Sequence, residues 1–331
     1  MTMRLTTRAA LAAISLLFVP ATLMAGEVAV TSKPIGPLAL SSNQTRFGKL
    51  EFLGGIEMKS SDDALGAWSS IRLRPDQSHF VGVLDTGDWI TGAIERDAKG
   101  VLSGVRDVAI TSMRNKKGKS GNSKTEMDSE GLAFRPGQVL VSFEEKHRVD
   151  VYPDPGFATA KPIASLPKLI PDSKLRPNKS LETIVVSPAG GPLAGAPLIV
   201  AEESLNGEGN NYAAVLEGPR KGIFYVRRHA PFDVTDGAFL PDGDLVLLER
   251  SFGFLQGLQM RLHRIHAGDI KPGATVDGEE LISTSGGLQI DNMEGIDAFK
   301  AADGTTHLIL VSDNNHLPIQ RNLMLEFRLV D

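Results

Sequence analysis

Apolar residues along this chain occur in short runs of about four to eight, and few windows keep the 3.6-residue period of a helix. Gly, Pro, Asp and Asn separate these runs, as in the Pro-Asp-Gly-Asp segment at residues 241–244. Short apolar runs bounded by turn residues are typical of β-strands joined by tight hairpins. The pattern therefore predicts an all-β fold.

A short phrase, in which an acid stands just before an apolar run, recurs along the chain. Its copies start at Glu130, Glu182, Asp236 and Glu294, and a weaker copy starts at Ser69. Successive starts are 52 to 61 residues apart, which leaves room for four strands in each unit. A four-stranded unit repeated at such a period is typical of a β-propeller blade.

We therefore predict a β-propeller, most simply with six four-stranded blades, with five or seven as alternatives. Five blades come from the copies of the phrase, and residues 46–59 supply strands for one more. The last strand, residues 323–330, is expected to share a sheet with the N-terminal strand at residues 49–58, which would protect the sheet edges. Residues 26–331 are expected to form this single domain.

Residues 1–25 are expected to be a secretory signal peptide and not part of the fold. Arg4 and Arg8 precede an apolar stretch, and Ala25 ends a plausible cleavage site. This predicts a periplasmic or secreted protein. That stretch is too short to cross a bilayer as a helix, and no later segment approaches its length, so we expect no membrane span.

The amino-acid composition excludes several classes of function. The chain contains no cysteine, which excludes disulfides, thiol catalysis and thiolate metal sites. Its net charge of −5 gives no sign of a nucleic-acid partner. It also has no P-loop and no dinucleotide fingerprint, so we expect no organic cofactor. A monomer is the expected state.

The propeller geometry turns the repeated phrase into a prediction about a site. The first strand of each blade lines the central channel and its hairpin partner runs back, so the start of one and the end of the other share a mouth. Glu130, Glu182, Asp236 and Glu294 are therefore expected to ring one mouth. Acids that end the second strands should lie just outside this ring: Asp85, Glu144, Glu202, Glu249 and Asp313.

Carboxylates so close together need a cation, bound protons or basic partners, because like charges raise one another's pKa. Oxygen ligands in such number suit calcium, the candidate cofactor. The candidate calcium ligands are Glu130, Glu182, Asp236, Glu294 and Asp313. Two other interpretations stay open, namely structural pairing with bases and direct acid–base catalysis. His316 follows the last acidic segment, so it is either a general acid or a solvated loop residue.

Five short motifs occur in a fixed order: Glu130-Gly131-Leu132-Ala133, Ser142-Phe143-Glu144, Asn178-Lys179-Ser180-Leu181-Glu182, Glu294-Gly295-Ile296 and Val311-Ser312-Asp313-Asn314-Asn315. They resemble the bacterial "esterase-like activity of phytase" family over about residues 50–329. The resemblance implies a β-propeller, export and hydrolysis of phosphate or other esters. Two departures are Ser180, where the family has glycine, and Ser69, where the mouth lacks a carboxylate.

The leading hypothesis is an exported, calcium-assisted hydrolase of phosphoric or related esters that acts on a small anionic substrate. Glu130, Glu182, Glu294 and His316 are the candidate catalytic residues, and Lys179, Arg250 and Asn315 are the candidate substrate-binding residues. One alternative is a non-catalytic propeller that binds a ligand or a protein. Another is a carboxylic-ester hydrolase, although no Gly-x-Ser-x-Gly elbow occurs. Whether the chain is an enzyme stays open at this point.

Overall fold

A computed structural model describes residues 26–121, 123–254, 256–284 and 286–330. The expected signal peptide lies outside the described residues. Within the described part of the chain, helix is limited to short segments: Lys124–Met127, Asp172–Lys174 and Ala267–Asp269. None of these helices is long and apolar enough to cross a membrane. The prediction of an all-β fold is confirmed.

The strands form five sheets, which are the blades of a propeller. Blade 1 comprises Trp68–Leu73, His79–Leu84, Asp88–Arg96 and Leu102–Ser112. Blade 2 comprises Ser129–Arg135, Gln138–Phe143, Arg148–Pro153 and Ala164–Leu166. Blade 3 comprises Thr183–Val186, Pro197–Leu205, Asn211–Val215, Gly222–Val226 and Thr275–Val276. Blade 4 comprises Asp233–Phe239, Leu245–Gly253, Gly257–Ile265 and Glu279–Ser283.

Blade 5 contains both ends of the described chain. It comprises Asn292–Lys300, Thr306–Asp313, Asn322–Leu329, Leu50–Lys59 and Thr31–Pro34, with the short strand Arg46–Phe47 beside Leu50–Lys59. Asn322 lies opposite Met58 and Leu329 lies opposite Leu50, so the predicted closure is confirmed.

The predicted number of six blades is wrong. The segment at residues 46–59 does not found a blade, because its long strand is the fourth strand of blade 5. The five copies of the phrase account for all five blades. The first strand of each blade packs against the first strands of both neighbouring blades, which closes the ring.

The hydrophobic core lies between the blades. Five clusters of buried apolar side chains each draw on two neighbouring blades. Between blades 1 and 2, for example, the rings of Trp89 and Tyr152 meet edge to face at 5.1 Å. Since burial of apolar surface is the main favourable contribution to folding, each blade depends on its neighbours for stability.

A buried ion pair lies inside the ring of first strands. The guanidinium of Arg72 makes two hydrogen bonds of 2.9 and 3.0 Å to the carboxylate of Asp236. It also donates to the backbone carbonyls of Ile71, Ile184, Gly237 and Ile296. These partners belong to blades 1, 3, 4 and 5, so one side chain joins four blades and fills the channel at this level.

Candidate functional site

Most of the first strands begin with an irregularity that takes a residue out of the ladder. The register shifts at Ser69 in blade 1, at Thr235 in blade 4 and at Glu294 in blade 5. In blade 2 the shift covers Glu130 and the residue after it. Such a bulge re-aims a side chain. In blade 3, Glu182 stands directly before the first strand.

Blade 4 is the exception to the predicted ring of acids. Its bulge residue is Thr235, so Asp236 lies one position further along the strand and turns to Arg72 instead of the mouth. Glu249, expected in the outer ring, is buried against Arg261 at 2.5 Å. The bulge of blade 4 therefore contributes no carboxylate to the ring, and the expectation that Asp236 lies in it is corrected.

Five carboxylates from blades 2 and 3 come together at the mouth. One group is Asp128, Glu130 and Glu144, and the other is Glu144, Glu182 and Glu202. Within each group, one oxygen from each residue lies within 4.8 Å of the others, and Glu144 belongs to both. We call these five residues the acidic mouth.

The acidic mouth has three members that the predicted ring lacks, and it does not include Asp236 or Glu294. Glu144 and Glu202 were placed just outside the ring and are part of it instead. Asp128 was missed, although it stands two residues before Glu130 and before the same bulge. That spacing was the available signal.

The charge of the acidic mouth is poorly compensated. No ion pair among the described residues involves Glu130, Glu144 or Glu182. Burial and the neighbouring carboxylates raise the pKa of Glu130 and of Glu182 well above the usual value for a glutamate. Burial raises the pKa of Asp128 to about 6, although Lys124 acts in the opposite direction. Carboxylates in this arrangement need a cation, or they hold protons.

Basic side chains reach the other side of the mouth. Lys179 Nζ lies 3.4 Å from Glu202 and 3.2 Å from Asp233. Arg250 Nε lies 2.8 Å from Glu294. Burial raises the pKa of Glu294 to about 8, against the opposing effect of Arg250. The two cations proposed to bind substrate therefore lie at the mouth, where they already contact acids.

The remaining predicted residues lie at the edge of the mouth. Asp313 accepts a hydrogen bond of 2.7 Å from the backbone N–H of Asn315, and burial raises its pKa to about 6. The side-chain amide of Asn315 donates to Gln320 at 3.1 Å. His316 is exposed and lines a neighbouring cavity of about 710 Å³. Asn315 and His316 thus lie outside the acidic mouth, and their roles stay predictions.

The fold and this site define a class: a five-bladed propeller with buried carboxylates at one mouth of its channel. The chain belongs to the family described as Phytase-like, esterase-like activity of phytase, whose model matches residues 63–316. This confirms the resemblance seen in the sequence.

The structure is similar to an endo-arabinase from Bacteroides thetaiotaomicron VPI-5482, with 11% identity over 80% of this chain and 94% of that chain and a TM-score of 0.47. It is also similar to the PQQ-bound aldose sugar dehydrogenase from Streptomyces coelicolor, with 13% identity over 91% and 98% of the two chains and a TM-score of 0.46. Likeness at this level does not bear on activity. No curated protein matches the sequence.

Proposed function

We propose that this protein is an exported, calcium-assisted hydrolase of phosphoric or related esters. The observation that carries the proposal is that Glu144 and Glu182 are buried and Glu130 is half-buried at the mouth, while none of the three forms an ion pair among the described residues. Burying carboxylates without compensation is costly, and a bound cation removes that cost. Export is part of the proposal because residues 1–25 have the pattern of a signal peptide.

The residues fit a hard divalent cation. The acidic mouth offers carboxylate oxygens close together, which are the ligands that calcium prefers. Asp128 is buried, and its Oδ1 has no hydrogen-bond partner and lies 3.6 Å from Lys124. Either group of three in the acidic mouth would hold the ion. Asp236 and Glu294 are engaged by arginines and are weaker candidates.

Calcium bound there would neutralise the charge of the ester and make a water more acidic. The protein's own residues would do the rest. Lys179 and Arg250, beside the acidic mouth, would attract and orient the anionic group of the substrate through charge-assisted hydrogen bonds. Glu294, whose pKa burial raises to about 8, would give a proton to the leaving oxygen. His316 is the alternative proton donor.

The test is phosphate release from a panel of phosphate esters, with calcium or with a chelator present. The wild-type protein should release phosphate only with calcium. Glu182→Gln, which keeps the shape of the side chain but removes its charge, should lose this activity. Glu208→Gln changes an exposed acid of the same blade and should keep it. Equal release with chelator, or no release from any ester, would refute the proposal.

A non-catalytic binding propeller is the second candidate. It is favoured by the ion pairs at the mouth, because Lys179 and Arg250 already contact Glu202 and Glu294. In that case calcium would bind and stabilise the protein without any turnover. Measuring calcium binding beside activity separates the two candidates.

A further inference from the structure

A second concave site lies on the face opposite the acidic mouth, where the first strands of blades 1, 2 and 5 end. It is a cavity of about 510 Å³, which we call the distal cavity. Such a volume is in the range of small-molecule sites, roughly 300–1,000 Å³. Apolar side chains form much of its wall: Leu73, Pro75, Phe134, Pro136, Ala298 and Phe299.

The basic groups of the distal cavity are already neutralised by the protein. Arg74 makes two hydrogen bonds of 2.6 and 3.0 Å to Asp154, and its guanidinium lies 4.2 Å from the ring centre of Phe134. Arg135 lies 3.0 Å from Glu217. Neither arginine is therefore available as the main partner of an anionic ligand.

Asp297 lines the distal cavity, and its negative charge is not paired with a cation in the described part of the chain. Its Oδ2 accepts a hydrogen bond of 2.7 Å from the backbone N–H of Leu73. Among the described residues it takes part in no ion pair. The cation that acts on it electrostatically, Arg72, is committed to Asp236 and to four backbone carbonyls. A partly exposed carboxylate thus lies among apolar and aromatic walls.

We propose that the distal cavity is a second ligand-binding site, which takes a small organic ammonium ion with an apolar body. The ammonium group would donate to Asp297, and the apolar body would contact Phe134 and Phe299. A neutral analogue of the same shape would leave the charge of Asp297 uncompensated, and an anionic analogue would be repelled by it.

The test uses three probes of the same size and different charge: 2-phenylethylammonium, 2-phenylethanol and phenylacetate. Their binding to the whole protein is measured by titration calorimetry with saturating calcium, which keeps the acidic mouth occupied. The ammonium ion should bind about tenfold or more tightly than the alcohol. Phenylacetate should bind more weakly than either.

Variants show where the probe binds. Asp297→Asn keeps an acceptor for Leu73 and should remove the preference for the ammonium ion. Asp303→Asn changes an exposed acid in the next turn of blade 5 and should have no effect. Phe299→Ala should weaken the binding of the ammonium ion and the alcohol alike.

Three results would overturn the proposal. They are an unchanged preference in Asp297→Asn, loss of binding in Glu182→Gln, which would place the probe at the acidic mouth, and no binding of any probe. Melting curves establish that each variant is folded. None of these readouts depends on ester hydrolysis, so the outcome stands apart from that of the proposed function.

Discussion

The ion pair inside the channel gives the sharpest prediction for stability. Arg72 and Asp236 are both buried, and Arg72 also donates to backbone carbonyls of blades 1, 3, 4 and 5. Replacing Arg72 by Met leaves a buried carboxylate without its cation. It also leaves those four carbonyls without this donor.

The loss is large on the scale of protein stability. Breaking a buried ion pair by removing one partner costs about 3–5 kcal/mol, and orphaned acceptors add to it. We expect Arg72→Met to lower the free energy of unfolding by about 4–6 kcal/mol, from a total of roughly 5–15 kcal/mol for a typical domain. Arg72→Lys keeps the charge but has fewer donors and no planar fork, and should cost on the order of 2 kcal/mol.

The assay is urea unfolding at constant calcium, followed by tryptophan fluorescence. Both tryptophans, Trp68 and Trp89, are buried, so their emission reports loss of the core. Arg227→Met is the matched control, because its partner Asp277 is half exposed and the pair should contribute less than about 1 kcal/mol. A loss below about 1 kcal/mol in Arg72→Met would refute the reasoning.

A rescue experiment separates the charge from the packing. In the double variant Arg72→Met/Asp236→Leu, the unpaired carboxylate is removed as well. Apolar replacements of a buried pair are often neutral or stabilising, so the double variant should be more stable than Arg72→Met alone. If it is less stable, the hydrogen bonds that Asp236 accepts from the Ser70 hydroxyl and the Ile296 N–H outweigh the cost of the orphaned charge.

Three further predictions concern the mouth. Because the folded protein raises the pKa of Glu130 and Glu182, it holds protons that the unfolded chain releases. With chelator, the free energy of unfolding in urea should therefore fall as pH rises above about 4.5, and saturating calcium should abolish the fall. Calcium should raise the melting temperature of the wild type and of Glu208→Gln, and raise it less in Glu182→Gln. A Cβ on Gly131 would lie 2.6 Å from the carbonyl oxygen of Glu182, so Gly131→Ala should cost about 1–3 kcal/mol in urea unfolding, whereas Gly190→Ala, with open space around it, should be neutral.

The propeller could be predicted because each repeat has a recognisable pattern of neighbouring residues in the sequence. Turn residues and apolar runs mark the hairpins, and the acid phrase marks the start of each blade. The number of blades could not be read in the same way. A run such as residues 46–59 shows that a strand forms but not with which strand it pairs, so the closing strand of blade 5 was counted again as a sixth blade.

The site was predicted in part for a similar reason. The repeat puts Glu130, Glu182 and Glu294 at one mouth, and the structure places them there. Asp236 follows the same phrase, but its bulge falls one residue earlier and turns it to Arg72. That contact joins residues 164 positions apart, and no local pattern indicates it.

The glycine and the acid of the repeated phrase are present for different physical reasons. Its glycine serves packing, since a Cβ on Gly295 would lie 2.7 Å from Val311 and 3.1 Å from the backbone of Ser70 in the next blade. Its acid does not serve packing, because blades 1 and 4 form the same bulge with Ser69 and Thr235. Small hydroxyl side chains are therefore enough to form the bulge. The hydroxyl of Thr235 donates to the backbone carbonyls of Leu248 and Met293.

Folding therefore does not require the carboxylates that blades 2 and 3 place at the acidic mouth. Their burial raises the pKa of Glu130 and Glu182, which is a cost in stability at neutral pH. A chain that retains such a cost, where serine or threonine would avoid it, has a use for negative charge at this place. Since the carboxylates converge in two groups of three, each within reach of an ion, binding a cation is the use that the geometry supports.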